Sequence, residues 1–339
     1  ERFGRDFQER ELPEFSTGKQ WDREYAEFIQ TLVEESNLWC ERVLRKAGYA
    51  GLCVQNAHKS FVFRRAGWNT MSMQDDHTYF NHPSATMSID SRVGSESSLE
   101  NGVAYLTSLT AGRFHGRPYS VGEIAHCFWN PWQYESGTVW SAYSALQGFS
   151  SIAIHEKSIS RDESRIGSFS VAQNPVVRAG EFLAAHIFRR GDVQPARQEV
   201  IYTCSPKQWE KLNPWHSPAT PNLLKTALVS RVSVEFPRTA LSARFPVGGK
   251  ELLRRSIMDG SGILDHDWFS QETVAWKEDN VFLSDTGELR LDIRGKSFRI
   301  SSPRTEVFLS PAGKKDPKPG VLQVCGSSAD SCIGLVSVD

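Results

Sequence analysis

The most constraining feature of the sequence is an alternation of amphipathic helical segments and short apolar runs between Trp21 and Gly191. Helical periodicity covers Trp21 to Leu44, a patch around Leu99 to Gly112, "SGTVWSAYSALQG" and "VVRAGEFLAAHIFRRG". Strand-like runs lie between them in "YAGLCVQNAH", "WNTMSMQDDHTYFNHP", "PYSVGE" and "FSSIAIHEKS". Short apolar strands that alternate with amphipathic helices are typical of a parallel sheet covered by helices. The sequence therefore predicts an α/β fold in this part of the chain.

Each of the four strand-like runs ends in polar or aromatic residues: Asn56 and His58; Asp76, His77 and Tyr79; Glu123 and His126; His155 and Glu156. In a barrel of βα units the carboxyl ends of the strands converge on one face, which holds the chemistry. We therefore expect these residues to meet at one site. The alternative is that each group only begins a solvated loop.

The residue pattern changes after about Pro195, where glycine, proline and an alternation of apolar and polar residues replace the helical periodicity of apolar residues. The run "NVFLSDTGELRLDIRGKSFRISSPRTEVFLSP" predicts strands joined by turns at "DTG" and "IRG". We expect a first domain over residues 1–197 and a β-sandwich-like domain over 198–339. A closed barrel needs eight βα units, so the four that are visible predict half a barrel, belonging to a longer or nicked chain.

Composition and charge narrow the function classes. The formal net charge is -1 and 39% of residues are hydrophobic, so no broad field favours nucleic acid or anionic lipid. No apolar run is long enough for a membrane span, and neither a GxSxG elbow nor a Walker loop occurs. The six cysteines lack zinc-site spacing; Cys325 and Cys332 either close a small disulfide loop or stay isolated thiols.

Glu123 is the strongest catalytic candidate. A carboxylate at the end of a barrel strand, followed by Trp129, Asn130 and Trp132, suits glycoside hydrolysis, which uses two carboxyl groups that flank the scissile bond. Neighbouring aromatic rings stack on sugars and strengthen fixed charges by excluding water. Glu156 is the second carboxylate by position alone, and a salt bridge from Glu156 to Lys157 or Arg161 is the competing interpretation.

Residues at the end of the preceding strand are placed to hold Glu123. Asp76, His77 and Tyr79 are expected to hydrogen-bond this carboxylate and fix its charge and orientation. A metal site formed by Asp76, His77 and His82 is a more specific alternative for these residues. Two histidines five residues apart on a loop do not match common zinc spacing, however. We expect neither a metal nor a cofactor.

Three stretches, "DDHTYFNHP", "GRPYSVGEIAHCFWNPWQYESGTVWSAYSALQGFSSIAIHE" and "NPVVRAGEFLAAHIFRRGDVQPA", together resemble large bacterial clan A glycoside hydrolases. The resemblance covers roughly residues 20–200. It implies that the chain carries strands five to eight of a (β/α)8 TIM barrel followed by a β-sandwich. In this register Glu123 is the nucleophile at the end of strand seven, and His77 and Tyr79 form the HxY element of strand six.

The same resemblance implies that the loop from Trp129 to Glu135 reaches over the substrate. The family's acid/base Glu, usually in an Asn-Glu pair after strand four, would precede residue 1, and no Asn-Glu pair occurs in this sequence. "VGEIAH" also departs from the more usual surroundings of the nucleophile, a Glu with an aromatic residue and Asn. The substrate-binding candidates are Asn56, Asp76, His77, Tyr79, His126, Trp129, Asn130, Trp132, Glu135 and Glu156.

Three functional hypotheses follow. The first is a retaining hydrolase of a β-linked poly- or oligosaccharide, working through Glu123 by double displacement without a metal. The second is a non-catalytic carbohydrate-binding or structural protein on a degenerate barrel, and the third is a metal-dependent α/β enzyme that uses His77 and Glu123. The first hypothesis also implies a carbohydrate as binding partner and the other half of the barrel as a second partner. It further implies an extracellular or periplasmic location.

Overall fold

The computed structural model describes residues 20–55, 57–85, 90–156, 159, 166–245, 253–256, 274–275 and 280–338. Within them the helices are α1 (Gln20–Lys46), α2 (Phe61–Thr70), α3 (Ala104–Thr107), α4 (Thr138–Leu146), α5 (Pro175–Ala184), α6 (Pro206–Trp209) and α7 (Pro221–Ala227). Among these described helices, none combines the length and apolar character that a membrane span requires.

The predicted helices are largely confirmed. The apolar stripe from Trp21 to Leu44 lies in α1, and "SGTVWSAYSALQG" forms α4, all of whose residues are buried. "VVRAGEFLAAHIFRRG" begins in α5, which Asn174 caps by accepting the backbone N–H groups of Val176 and Val177, and continues as a π-helical turn over Ala185–Arg189. The Leu99 to Gly112 patch is broken into α3 and a following 3₁₀ turn.

The first sheet is parallel, with the order β1-β2-β3, and is built from β1 (Gln74–Phe80), β2 (Tyr119–His126) and β3 (Ser151–Ile154). These are three of the four strands that the sequence predicts. The fourth was expected near Leu52, but residues 52–55 are not a strand, and the Cys53 carbonyl accepts one backbone hydrogen bond, from Met73. Parallel alignment brings the carboxyl ends of the three strands to one edge.

A second parallel sheet lies in the region where the sequence suggested only a sandwich. It has the order β5-β4-β6, with β4 (Glu199–Thr203), β5 (Arg231–Glu235) and β6 (Leu253–Ser256). A bridge between Phe114 and Val234 ties β5 to the segment that precedes β2. This small sheet packs with α2 and α7 in a core that includes Phe61, Trp68 and Tyr202.

The third sheet is antiparallel and confirms the predicted strand-turn-strand pattern. Its order is β12-β11-β10-β9-β8-β7, formed by β7 (Val274–Ala275), β8 (Val281–Leu283), β9 (Leu289–Asp292), β10 (Ser297–Ser301), β11 (Thr305–Ser310) and β12 (Ser331–Val336). The "DTG" turn places Gly287 at a φ of 77°, a conformation that glycine adopts without strain. Cys325 and Cys332 are both free thiols, so the disulfide alternative is wrong.

The larger hydrophobic core joins the first parallel sheet to the antiparallel sheet. Val121 and Ile124 of β2 belong to the same cluster as Trp140 of α4 and Phe298 and Leu309 of the antiparallel sheet. This core draws residues from both sides of the expected boundary at 197/198. No barrel closes among the described strands, and the half barrel, the sandwich and their boundary stay predictions.

Candidate active site

The residues of β1 divide between two faces. Side chains alternate along a strand, and burial follows this alternation: Gln74, Asp76, Thr78 and Phe80 are buried, whereas Asp75, His77 and Tyr79 are partly exposed. The exposed face is the side of the sheet that carries Glu123. Asp75, which the sequence analysis did not select, therefore belongs with His77 and Tyr79.

A bulge in β2 places Glu123 opposite His77. The register pairs Asp75 with Ser120 and Asp76 with Val121, then shifts so that His77 pairs with Glu123. Gly122 is the extra residue of the bulge; in a regular strand that contained Gly122, alternation would put Glu123 on the buried face of Val121. A bulge commonly redirects a side chain in this way. A side chain at residue 122 would displace Asp75, because a Cβ there would lie 2.5 Å from Asp75 Oδ2 and 3.0 Å from His77 Nε2.

All described hydrogen bonds and ion pairs of Glu123 go to one carboxylate oxygen. The Tyr79 hydroxyl donates a short hydrogen bond to Oε2. His77 Nδ1 lies 3.5 Å and His155 Nδ1 3.8 Å from the same atom. Within the described part of the chain, Oε1 has no such partner. The side chain is 33% exposed, so Glu123 has one oxygen held and one oxygen open.

Aromatic rings pack on one side of this carboxylate. The Tyr79 ring makes edge contacts with His82, His155 and Phe169, at centroid distances of 5.1, 5.7 and 5.3 Å. His155 and Phe169 are also in edge contact, at 5.2 Å. Edge-to-face packing of this kind fixes ring orientations. The cluster therefore holds the Tyr79 hydroxyl in place towards Glu123.

Asp76 lies on the other side of β1, away from Glu123. Arg64 donates two hydrogen bonds to its carboxylate, at 2.6 and 2.8 Å, and the Tyr119 hydroxyl donates a third at 2.5 Å. The side chains of Arg64 and Asp76 are completely buried. The expectation that Asp76 hydrogen-bonds Glu123 or substrate is therefore not met, because alternation along the strand turns it into the helix-covered side.

His126 and Asn130 are buried, at 4% and 3% exposure. Their side chains hydrogen-bond each other at 3.0 Å, and burial lowers the pKa of His126 to about 4. Asn130 also donates to the carbonyls of Gly94 and Glu96. These residues join the loop after β2 to the segment at 94–96, and none of their described hydrogen bonds is to Glu123.

Trp129 and Trp132 differ in exposure and in their contacts. Trp129 is 75% exposed and packs against Phe128, with ring centroids 4.4 Å apart. Trp132 donates from Nε1 to the Ser95 carbonyl, and Lys296 Nζ lies 4.9 Å from its ring centroid. Trp129 is thus available as a stacking surface, whereas Trp132 links the loop to the antiparallel sheet.

Glu135 is a fully buried carboxylate at the end of the same loop. The hydroxyls of Ser97 and Ser98 and the backbone N–H of Ser98 donate to it. Burial raises the pKa of Glu135 to about 7, although these hydrogen bonds act in the opposite direction. It anchors the loop from within rather than facing the site.

The remaining candidates are less fully placed. Glu156 is half-buried, and its backbone N–H donates to the Phe169 carbonyl. Asn56 lies outside the described residues, as do Lys157 and Arg161, the proposed partners of Glu156. The described residues contain no cluster of three or more His, Cys, Asp or Glu side chains suited to a metal ion. His155, which the sequence analysis expected at the shared strand ends, lies at the site, and Phe169 is a site residue that the sequence analysis did not select.

Comparisons of the chain with protein-family models, with curated proteins and with solved structures found no match.

Proposed function

We propose that the chain acts as a retaining glycoside hydrolase on a β-linked poly- or oligosaccharide, with Glu123 as the nucleophile. The observation that carries the proposal is the asymmetry of the Glu123 carboxylate. Tyr79, His77 and His155 surround Oε2, while Oε1 has no described partner. A nucleophile for double displacement needs one oxygen free to reach the anomeric carbon and a fixed orientation of the other.

In the first step of the proposed mechanism, Oε1 attacks the anomeric carbon as the glycosidic bond breaks, which gives a glycosyl-enzyme ester. The Tyr79 hydroxyl donates to Oε2 throughout and orients the carboxylate. Water then attacks the anomeric carbon, which releases the sugar with retained configuration and regenerates Glu123. The rings of His82, His155 and Phe169 around Tyr79 cover one side of the reacting carboxylate, and the exclusion of water there strengthens its interactions.

A second carboxyl group must protonate the leaving oxygen and later activate water, at roughly 5 to 5.5 Å from the nucleophile in retaining enzymes. Asp75 is separated from Glu123 by the His77 ring, so it is not suited to that role. Glu156 is the candidate within this chain, and the resemblance to clan A enzymes points instead to a Glu that precedes Glu1. The experiment below uses substrates that need no acid/base residue, so it does not depend on which of these two glutamates has that role.

Dinitrophenyl β-glycosides carry a leaving group that departs without protonation, so they report on the nucleophile alone. Release of dinitrophenolate from a panel of such glycosides is the measurement. Glu123→Gln is nearly isosteric and should lower kcat/KM by at least ~10³-fold, because the attacking charge is lost. Glu41→Gln is the matched control, since this glutamate pairs with Arg45 and Arg244 and should leave turnover unchanged.

Three results would contradict the proposal. Equal turnover by the Glu123→Gln variant and the wild type would exclude Glu123 as nucleophile. Binding of oligosaccharides without cleavage of any activated glycoside would instead support the non-catalytic carbohydrate-binding hypothesis. Loss of turnover only after metal removal would support the metal-dependent hypothesis.

A further inference from the structure

Asp75 is surrounded by hydrogen-bond donors. Its carboxylate accepts the hydroxyl of Ser120 and the backbone N–H of Gly122, and His77 Nε2 lies 3.2 Å from Oδ2. The side chain is 13% exposed. Burial raises the pKa of Asp75, and the Ser120 hydrogen bond and the nearby His77 oppose that effect. These contacts fix the carboxylate in one orientation beside the His77 ring.

The position of Asp75 determines which nitrogen of His77 carries a proton. An ionised carboxylate only accepts hydrogen bonds, so Asp75 and Glu123 each favour a proton on the nitrogen that faces them; the Asp75 contact is the closer of the two, at 3.2 Å against 3.5 Å, which favours the proton on Nε2. The opposite nitrogen, Nδ1, lies 3.5 Å from Glu123 Oε2. In neutral His77 an unprotonated Nδ1 therefore faces Glu123, and a carboxylate that orients an imidazole in this manner also fixes its tautomer.

We infer that Asp75 is a positioning residue, which holds His77 in the Nε2–H tautomer and thereby fixes the group that borders Oε2 of Glu123. The carboxylate of Asp75 does not touch the reacting atoms. It acts through the imidazole, whose ring spans the gap between the two carboxylates. The consequence for catalysis rests on the proposed function, whereas the state of the His77 ring does not.

The bulge in β2 supports this assignment from a second direction. Gly122 supplies both the N–H that Asp75 accepts and the space that Asp75 and His77 occupy. The same inserted residue turns Glu123 onto the face of His77. The bulge at Gly122 thus places the Asp75 carboxylate, the His77 imidazole and Glu123 next to one another.

The inference is tested by long-range ¹H–¹⁵N correlation spectra of the full chain, labelled in histidine. The His77 signals are assigned by their disappearance in His77→Gln. In spectra recorded where the ¹⁵N shifts show His77 to be neutral, wild-type His77 should have a protonated Nε2 and an unprotonated Nδ1. Asp75→Asn should reduce the Nε2–H population, because the amide offers a donor as well as an acceptor.

Kinetics on an activated glycoside give the second readout. Asp75→Asn should lower kcat by about 10²-fold with KM changed little, since a misplaced nucleophile affects the transition state more than substrate binding. Asp292→Asn is the matched control: this carboxylate pairs with Lys314 and is 19% exposed. The control should leave the His77 spectrum and kcat unchanged.

The two proposals fail in different ways. A wild-type His77 protonated on Nδ1, or a tautomer unaltered in Asp75→Asn, would overturn the role of Asp75 whether or not the chain cleaves glycosides. The wild-type spectrum decides the matter even where the variant does not fold. A tautomer that depends on Asp75, in a chain that cleaves no glycoside, would support the positioning of His77 and refute the proposed function.

Discussion

Replacing Asp76 with Asn should destabilise the fold severely, although the change is nearly isosteric. Arg64 and Asp76 are both completely buried and share two hydrogen bonds of 2.6 and 2.8 Å. In the variant the Arg64 guanidinium remains in the core without a counter-charge. Breaking one partner of a buried ion pair costs about 3–5 kcal/mol in free energy of unfolding. That is a large share of the roughly 5–15 kcal/mol that holds a typical domain together.

Urea unfolding followed by tryptophan fluorescence measures this change. Asp292→Asn breaks a partly exposed pair with Lys314 and should cost less than about 1 kcal/mol. The double variant Arg64→Met/Asp76→Leu leaves no buried charge unpaired, so it should be more stable than Asp76→Asn. A loss below about 1 kcal/mol for Asp76→Asn would refute the reasoning and reopen a role for Asp76 in the site.

Three further outcomes are expected. The folded state favours protonated Glu135, whose pKa is raised from 4.5 to about 7. The free energy of unfolding should therefore fall by about 3 kcal/mol as the pH rises through that window, and denaturation of Glu135→Gln should lack this dependence. Gly122→Ala should lower kcat/KM by about 10²-fold with the fold retained, because its Cβ would lie 2.5 Å from Asp75 Oδ2; wild-type kinetics would contradict the steric argument. Trp129→Ala should raise KM without changing kcat or Tm, since this ring is 75% exposed. Trp132→Ala should instead lower Tm. The reverse pattern would make Trp132 the stacking residue and Trp129 the structural one.

The alternation of helices and strands could be predicted from the sequence because its causes are local. Apolar periodicity marks α1, α4 and α5, and short apolar runs mark β1, β2 and β3. The second parallel sheet was missed because the glycine- and proline-rich sequence after Pro195 was interpreted as a sandwich, although β4 and β5 are longer than β3. Near Leu52 an apolar run of the same kind forms no strand, which shows that such a run does not by itself determine pairing.

The candidate site could be predicted only in part. Glu123, His77 and Tyr79 were selected from their places at strand ends, and the structure brings them together. The alternation of side chains along β1 is enough to place Asp76 and His77 on opposite faces and to put Asp75 on the face of His77. The prediction instead grouped Asp76 with His77, because the two are adjacent in the sequence. The bulge at Gly122 could not be foreseen, because a glycine in a strand does not say which way the register shifts.

Covalent trapping of a sugar tests most directly whether Glu123 is the nucleophile. A dinitrophenyl β-glycoside with fluorine beside the anomeric carbon forms the glycosyl-enzyme and slows its hydrolysis, and peptide mass spectrometry then locates the sugar. We predict one sugar per chain, attached to Glu123 and absent from Glu123→Gln. Attachment at another residue, or hydrolysis of the parent glycoside with inverted configuration and no attached sugar, would contradict it.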